Sequence, residues 1–156
     1  MEPDRSLVGD DEILAWLLPL DGVQQDPVHH PERDALYHSL QVFEHALADR
    51  AGPALLAAAL LHDVGKAYGG RDHDRVGAEL LVGLPERTVW LVAHHLDLLR
   101  AARATRARWR GTPALADLER LRRWDLAGRD PHGRVREPEE AAGIVAEALD
   151  DAQEHV

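Results

Sequence analysis

Apolar residues recur along this chain mostly at intervals of three and four, the spacing of one face of an α-helix. Leu36, Leu40, Phe43 and Leu47 mark such a stripe between Asp34 and Arg50, and Gly52 can stop that helix. Pro53 opens the longest mainly apolar run, PALLAAALL, which continues into His62 and Asp63 and predicts a helix buried on all sides. Gly65, Gly69 and Gly70 break the chain after it. Further helices are predicted from an Asp10 or Asp11 cap through Leu18, over Asp74 to Leu81, and from Pro85 to about Leu99. The arginine-rich segment continues the last of these helically to Arg110. Thr112 before Pro113 signals a helix reaching Ala127, and Pro138 begins a final one with Ile144, Val145, Ala148 and Leu149 as its stripe. Leu20 to Arg33, punctuated by Pro27 and Pro31, reads as loop. The expectation is an all-α fold of about seven helices with no strand.

Composition supports that reading. Leu and Ala supply 24 residues each, whereas Ile and Thr together supply 5, a bias toward helix over strand. At 156 residues the chain can bury a core without disulfide staples, and 1–156 is expected to be one domain. It has no cysteine, which excludes disulfides, thiolate metal sites and cysteine nucleophiles. The apolar run is too short to span a bilayer and the acidic start MEPDRSLVGDDE does not read as a signal peptide, so a soluble, cytoplasmic protein is expected.

The formal charge of −10 is unevenly spread. Residues 1–99 hold 17 acids and 7 bases, residues 100–136 hold 11 arginines and 4 acids, and residues 137–156 hold 7 acids and no base. A globally acidic chain is a poor general nucleic-acid binder, but the arginine block could hold one phosphate or a strand end. Lys66 is the only lysine.

Ten histidines are many for this length, and several fall where packing should prefer hydrocarbon. His38 shares a helix face with Val42, His62 and Asp63 end the apolar helix, and Asp125 shares a face with Leu118 and Leu121. A buried carboxylate costs several kcal/mol without a compensating cation or hydrogen bonds. One such group is ordinarily a satisfied core residue. Several together, all able to ligate, favour a shared metal charge. His73 and the His94-His95 doublet extend the set; His29, His30 and His45 are less informative.

In order, HPERDALYHSL (30–40), LLHDVGK (60–66), DHDRVGAEL (72–80), AHHLDLL (93–99) and WDLAGRD (124–130) resemble the HD-domain phosphohydrolase superfamily. They are most similar to the HD domain that accompanies bacterial tRNA nucleotidyltransferases, in a free-standing version covering about residues 24–130 and followed by an acidic helix at 137–156. Nothing in the chain resembles the strand-borne paired carboxylates of the nucleotidyltransferase domain, so nucleotide addition is not implied. The resemblance implies an all-α fold in which His38, His62, Asp63 and Asp125 hold a first metal. Asp63 would bridge to a second, held by His73 and by His94, His95 or both. It places Asp34 near the metals, Lys66 on substrate phosphate and Arg129 as a further phosphate contact. Asp63 and Lys66 would carry catalysis.

Two divalent ions about 3.5–4 Å apart can share and acidify a hydroxide and clamp an in-line displacement at phosphorus. Imidazole and carboxylate ligands suit manganese, iron, zinc, cobalt or nickel better than magnesium. The expected activity is hydrolysis, through a metal-bound hydroxide, of a phosphomonoester or phosphodiester of a nucleotide-like substrate: a 2′,3′-cyclic phosphodiesterase, nucleotidase or phosphatase. The expected partner is that small phosphorylated substrate or an RNA or nucleotide end, with no membrane. The alternatives are a non-catalytic nucleotide- or RNA-end-binding module and, behind it, a di-iron oxygenase. No H-E-x-x-H element or glycine-rich phosphate loop occurs.

Overall fold

The computed structural model describes residues 8–154, so the first seven positions of the acidic start lie outside the described residues. The chain forms α1 (Asp10–Leu17), a 3-10 turn at Leu18–Leu20, α2 (Ala35–Ala48), α3 (Pro53–Leu61), a second 3-10 turn at Val64–Ala67, α4 (His73–Leu80), α5 (Glu86–His94), α6 (Asp97–Arg100), α7 (Ala102–Arg108), α8 (Pro113–Ala127) and α9 (Pro138–Glu154). Among the described residues there is no strand, only isolated bridges pairing Gln24 with Asp34 and Val82 with Leu84. The all-α expectation holds.

Local chemistry explains most of the boundaries. Gly9, rather than an aspartate, caps α1, and Asp10, Asp11 and Glu12 occupy its first turn, where carboxylates complement the helix dipole. α1 ends at Leu17, and Pro19 lies inside the 3-10 turn that follows. Asp34 caps α2 by accepting the Tyr37 N–H at 2.9 Å, and Thr112 caps α8 by accepting that of Leu115 at 3.2 Å. Pro53 and Pro113 sit at helix starts, where a missing N–H costs nothing.

Every residue of α3 from Leu55 to Leu61 is buried, as its all-apolar composition predicts. α2, α5, α8 and α9 pack around it, and Ile13 and Leu17 of α1 complete the same core. At about 1.5–3 kcal/mol for each fully buried leucine, this central rod is the main anchor for whatever its C-terminal end carries, which is His62 and Asp63.

The run from Pro85 to Arg110 departs from expectation. It is three short helices, broken at His95–Leu96 and again at Ala101, whose φ of −150° and ψ of 57° are non-helical. The break lets His95, Leu96 and Leu98 all turn inward, and it returns Arg100 to the protein, where its guanidinium reaches Asp74 at 3.0 Å and the Arg71 carbonyl at 2.9 Å. One continuous helix would carry that charge away from both partners.

Two glycines set how closely elements meet. A Cβ at Gly65 would collide with the His73 carbonyl oxygen and lie 2.8 Å from the Gly77 nitrogen; one at Gly128 would lie 2.8 Å from Val42 Cγ2. The backbone atoms facing Gly65 cannot rotate away, so Gly65→Ala must push the turn after Asp63 off α4. Urea unfolding is expected to show a loss of about 3 kcal/mol, and unchanged stability would contradict this packing.

Candidate metal centre

Four imidazoles from four elements converge at the end of α3, and each is aimed by the same device. Nδ1 of His38 faces the Gly128 carbonyl at 2.8 Å, that of His62 the Ala59 carbonyl at 2.9 Å, that of His73 the Gly70 carbonyl at 3.1 Å and that of His95 the Val92 carbonyl at 2.7 Å. A carbonyl only accepts, so each Nδ1 carries its proton and each neutral ring presents the Nε2 lone pair inward.

Two carboxylates meet those nitrogens. Asp125 Oδ1 lies 2.8 Å from His38 Nε2 and 3.5 Å from His62 Nε2. Asp63 Oδ2 lies 3.6 Å from His38 Nε2 and 3.3 Å from His62 Nε2, while its Oδ1 faces His73 at 3.2 Å and His95 at 3.3 Å. Two ligand groups result, His38-His62-Asp63-Asp125 and Asp63-His73-His95, with donor atoms within 4.8 Å of one another in each. Asp63 belongs to both, and every member is buried.

The electrostatics call for positive charge. Burial opposes a proton on His62, yet Asp63 and Asp125 overcome it and raise its pKa to about 10. His38 is raised in the same way, against burial, by Asp125, Glu32 and Asp63. Burial raises Asp63, but His62 and Lys66 hold it well below the usual carboxylate range, and burial of Asp125 is likewise outweighed by His38 and His62.

The donor set fits a divalent ion. His62 Nε2 is buried with no hydrogen-bond partner, an expensive state for a polar atom. His73 Nε2 and His95 Nε2 face each other at 3.3 Å with both Nδ1 protons committed elsewhere, so two lone pairs confront each other beside a carboxylate. A cation satisfies all of these atoms, and sulfur-free imidazole and carboxylate ligation suits first-row transition ions. The HD domain family matches residues 35–152.

The chain belongs to the HD domain family.

Its curated relatives are larger proteins. The chain is similar to the multifunctional CCA protein of Methylococcus capsulatus, 41% identical over 73 residues, 42% of this chain and 17% of that one. The match to the multifunctional CCA protein of Halorhodospira halophila is 52% over 58 residues, 35% of this chain and 14% of the relative. The bifunctional uridylyltransferase/uridylyl-removing enzyme of Gluconobacter oxydans is 44% identical over 63 residues, 34% of this chain and 6% of that protein.

Of the residues expected at this HD centre, His38, His62, Asp63, His73, His95 and Asp125 come together, with Lys66 Nζ 3.0 Å from Asp63 Oδ2 and bonded to Gln25 Oε1. His94 does not. Its Nδ1 bonds Asp97 at 2.7 Å and its ring stacks on Trp90 at 4.4 Å, because neighbouring helical positions point about 100° apart. Asp34 does not face the cluster either: its two oxygens accept the Gly22 and Tyr37 N–H groups as a helix cap. Arg129 is tied to the carbonyls of His29 and Asp125, leaving its other N–H groups for a ligand.

Sequence reasoning missed a further acid beside His38, on its Nδ1 side. Glu32 is buried, its Oε1 lies 2.7 Å from His30 Nδ1 and 3.4 Å from His38 Nδ1, and its Oε2 has no partner. His30 and Glu32 sit in a loop, where helical periodicity carries no signal; the lead-in HPE was their only trace. Gln25, which holds Lys66, and Arg122, 3.5 Å from Asp125 Oδ2, were likewise unforeseen.

Without metal, the raised pKa of His62 contributes stability that is complete below the unfolded value of about 6.5 and is lost as pH rises through about 10. The melting temperature of chelator-treated protein should therefore fall between those limits. Nickel or manganese should raise it, by more than about 5 °C at the alkaline end, since an ion replaces the missing proton. Equal melting curves with and without metal across that range would contradict the site.

Proposed function

We propose that this HD domain hydrolyses a phosphomonoester or phosphodiester of a nucleotide-like substrate, with one or two manganese, iron, zinc, cobalt or nickel ions held by His38, His62, Asp63, His73, His95 and Asp125. The observation that carries this reading is Asp63, one carboxylate offering an oxygen to each of two ligand groups. Divalent ions bound there would supply Lewis-acid polarisation of a phosphoryl oxygen and a water acidified toward neutrality.

The chain's own groups supply the rest. Backbone carbonyls fix four ring tautomers, so the ligands need no reorientation when substrate arrives. Lys66 stands at the exposed edge of the cluster, its side chain 18% accessible against 3% for Asp63. Its ammonium is positioned to donate to non-bridging phosphate oxygens, with Gln25 and Asp63 holding it meanwhile. Arg129 and Arg122 flank Asp125 and add positive charge for the same anion. No serine or cysteine nucleophile is required.

The relatives' names point the same way. Removing a uridylyl group breaks an ester bond to phosphorus, and the CCA proteins are named as multifunctional. Because this chain aligns with only a small part of each, neither activity is transferred whole. We take the location to be the cytoplasm; among the described residues no helix is long and apolar enough to cross a membrane.

The test is hydrolysis of bis-p-nitrophenyl phosphate, 2′,3′-cyclic nucleotides and mononucleotides by protein loaded with manganese, nickel or cobalt. Asp63→Asn should lower kcat/KM by about a thousandfold or more and lose bound metal. Lys66→Ala should lower it about a hundredfold with metal content by elemental analysis unchanged. Turnover of none of these esters by metal-loaded protein, or full activity of Asp63→Asn, would overturn the proposal.

A further inference from the structure

The residue next to the metal cluster leads to a different surface. His94, turned away from His95, stacks on Trp90, and Trp109 meets the Trp90 ring edge-on at 5.2 Å and the His94 ring at 6.3 Å. These three half-buried rings join α5 to the end of α7. Beside them opens a cleft of about 400 Å³ lined by Glu86, Arg87, Trp90, Trp109 and Ala114. Two indoles and a guanidinium around an open cleft of this size make a stacking site for a flat heterocycle.

Glu86 lines the cleft itself, but the segment that carries Trp109 is charged with one sign. From Leu98 to Ala116 the sequence holds Arg100, Arg103, Arg106, Arg108 and Arg110 and no acid, in a protein of net charge −10. Arg100 is committed to Asp74 and Arg106 to Glu119 on α8. Arg108 lies over the Trp109 ring at 4.9 Å. Arg103 and Arg110 are exposed, and among the described residues neither makes an ion pair or side-chain hydrogen bond. Uncompensated arginines interleaved with stacked aromatics are the two components of single-strand recognition: backbone neutralisation and base stacking.

A chain of contacts joins this surface to the ligand cluster. His73 and His95 share the second ligand group; Arg100 bonds the carbonyl of Arg71 and the carboxylate of Asp74, on either side of His73. Arg100 ends α6, which begins at Asp97, the partner of His94. Consecutive Cα atoms are about 3.8 Å apart, so one helix end presents a candidate ligand on one side and the aromatic stack on the other.

We propose that the Trp90–Trp109 cleft seats a base of a single-stranded nucleic acid whose backbone lies along Arg103, Arg108 and Arg110 and whose terminal phosphate ester reaches the cluster at His73 and His95. The substrate class is then an oligonucleotide end rather than a free mononucleotide. This rests on the hydrolase reading above and narrows it. It also explains how a strongly acidic protein can hold a polyanion: the grip is confined to one short arginine segment, and the acids lie elsewhere in sequence.

The experiment titrates metal-loaded protein into fluorescein-labelled eight-residue single-stranded RNA and DNA, read by anisotropy, with an unlabelled mononucleotide and a duplex as competitors. Binding of either single strand, weakened about tenfold or more by Trp109→Ala and by the Arg103→Ser/Arg110→Ser double variant, is expected. Those two exposed arginines support no packing, so the double variant keeps the test independent of folding. A salt dependence that becomes shallower in the double variant by about 0.7 per arginine lost supports direct phosphate contact. Competition by the mononucleotide as strong as by the oligonucleotide, or equal affinity of both variants and the parent, would overturn the inference. In either case hydrolysis of bis-p-nitrophenyl phosphate by the same preparations reports separately on the catalytic reading, so the two can fail independently.

Discussion

Two carboxylates buried at the end of an apolar helix are the constraint on which this molecule turns. Asp63 and Asp125 are almost wholly withdrawn from water, and nothing about hydrocarbon packing compensates them. Four imidazoles and one ammonium lie within about one contact distance of Asp63 and Asp125. In the absence of an ion the charge balance is met by protons, which is why His62 and His38 are raised while Asp63 and Asp125 are lowered. A divalent cation does the same job with fewer compromises, because it also satisfies the unpartnered His62 nitrogen and separates the facing lone pairs of His73 and His95.

The fold serves that requirement through backbone rather than side-chain design. Each ring is oriented by a carbonyl near the C-terminal end of a helix or, for His73, in the turn before α4. His38 draws on the C-terminal end of α8, so Gly128 has two roles: its carbonyl orients the ring, and its lack of a Cβ admits Val42 and lets α8 approach α2 closely enough to deliver Asp125. A second clamp, from the Trp124 indole to Asp49 at 2.6 Å and from Arg120 to the Asp49 carbonyl at 2.7 Å, holds the same pair of helices at α2's far end.

What could be read from the sequence follows from how helices encode information. Asp125 between Leu118 and Leu121 on one face, or His62 at the end of an unbroken apolar run, announces a polar group forced into a core, because periodicity fixes which face is buried. That logic singled out both carboxylates and two of the converging histidines, His38 and His62. It could not decide between His94 and His95, since both lie near a helix terminus and the choice depends on the break at Leu96, which arises from tertiary contacts of Leu98 and Arg100. It misplaced Asp34, whose position one turn before His38 is also the N-cap position of α2; the local hydrogen bond to Tyr37 prevails. The acid on the Nδ1 side of His38 is Glu32, brought there by a loop closed through the Gln24–Asp34 bridge and by a left-handed Arg33 with φ of 68°. No periodic pattern reports on such a loop.

The His94-His95 doublet shows how one helix end can divide two tasks. Because consecutive side chains diverge by about 100°, an imidazole aimed at buried carboxylates necessarily has a neighbour aimed elsewhere, and here that neighbour joins two tryptophans instead of facing bare solvent. The break after His95 then becomes more than an accident of packing. It turns the chain so that Arg100 reaches the residues flanking His73 and Arg108 lies over the Trp109 ring. Straightening the segment into one helix would strip Arg100 from Asp74 and swing Trp109 away from Trp90. The cleft between those two indoles would not survive such a change.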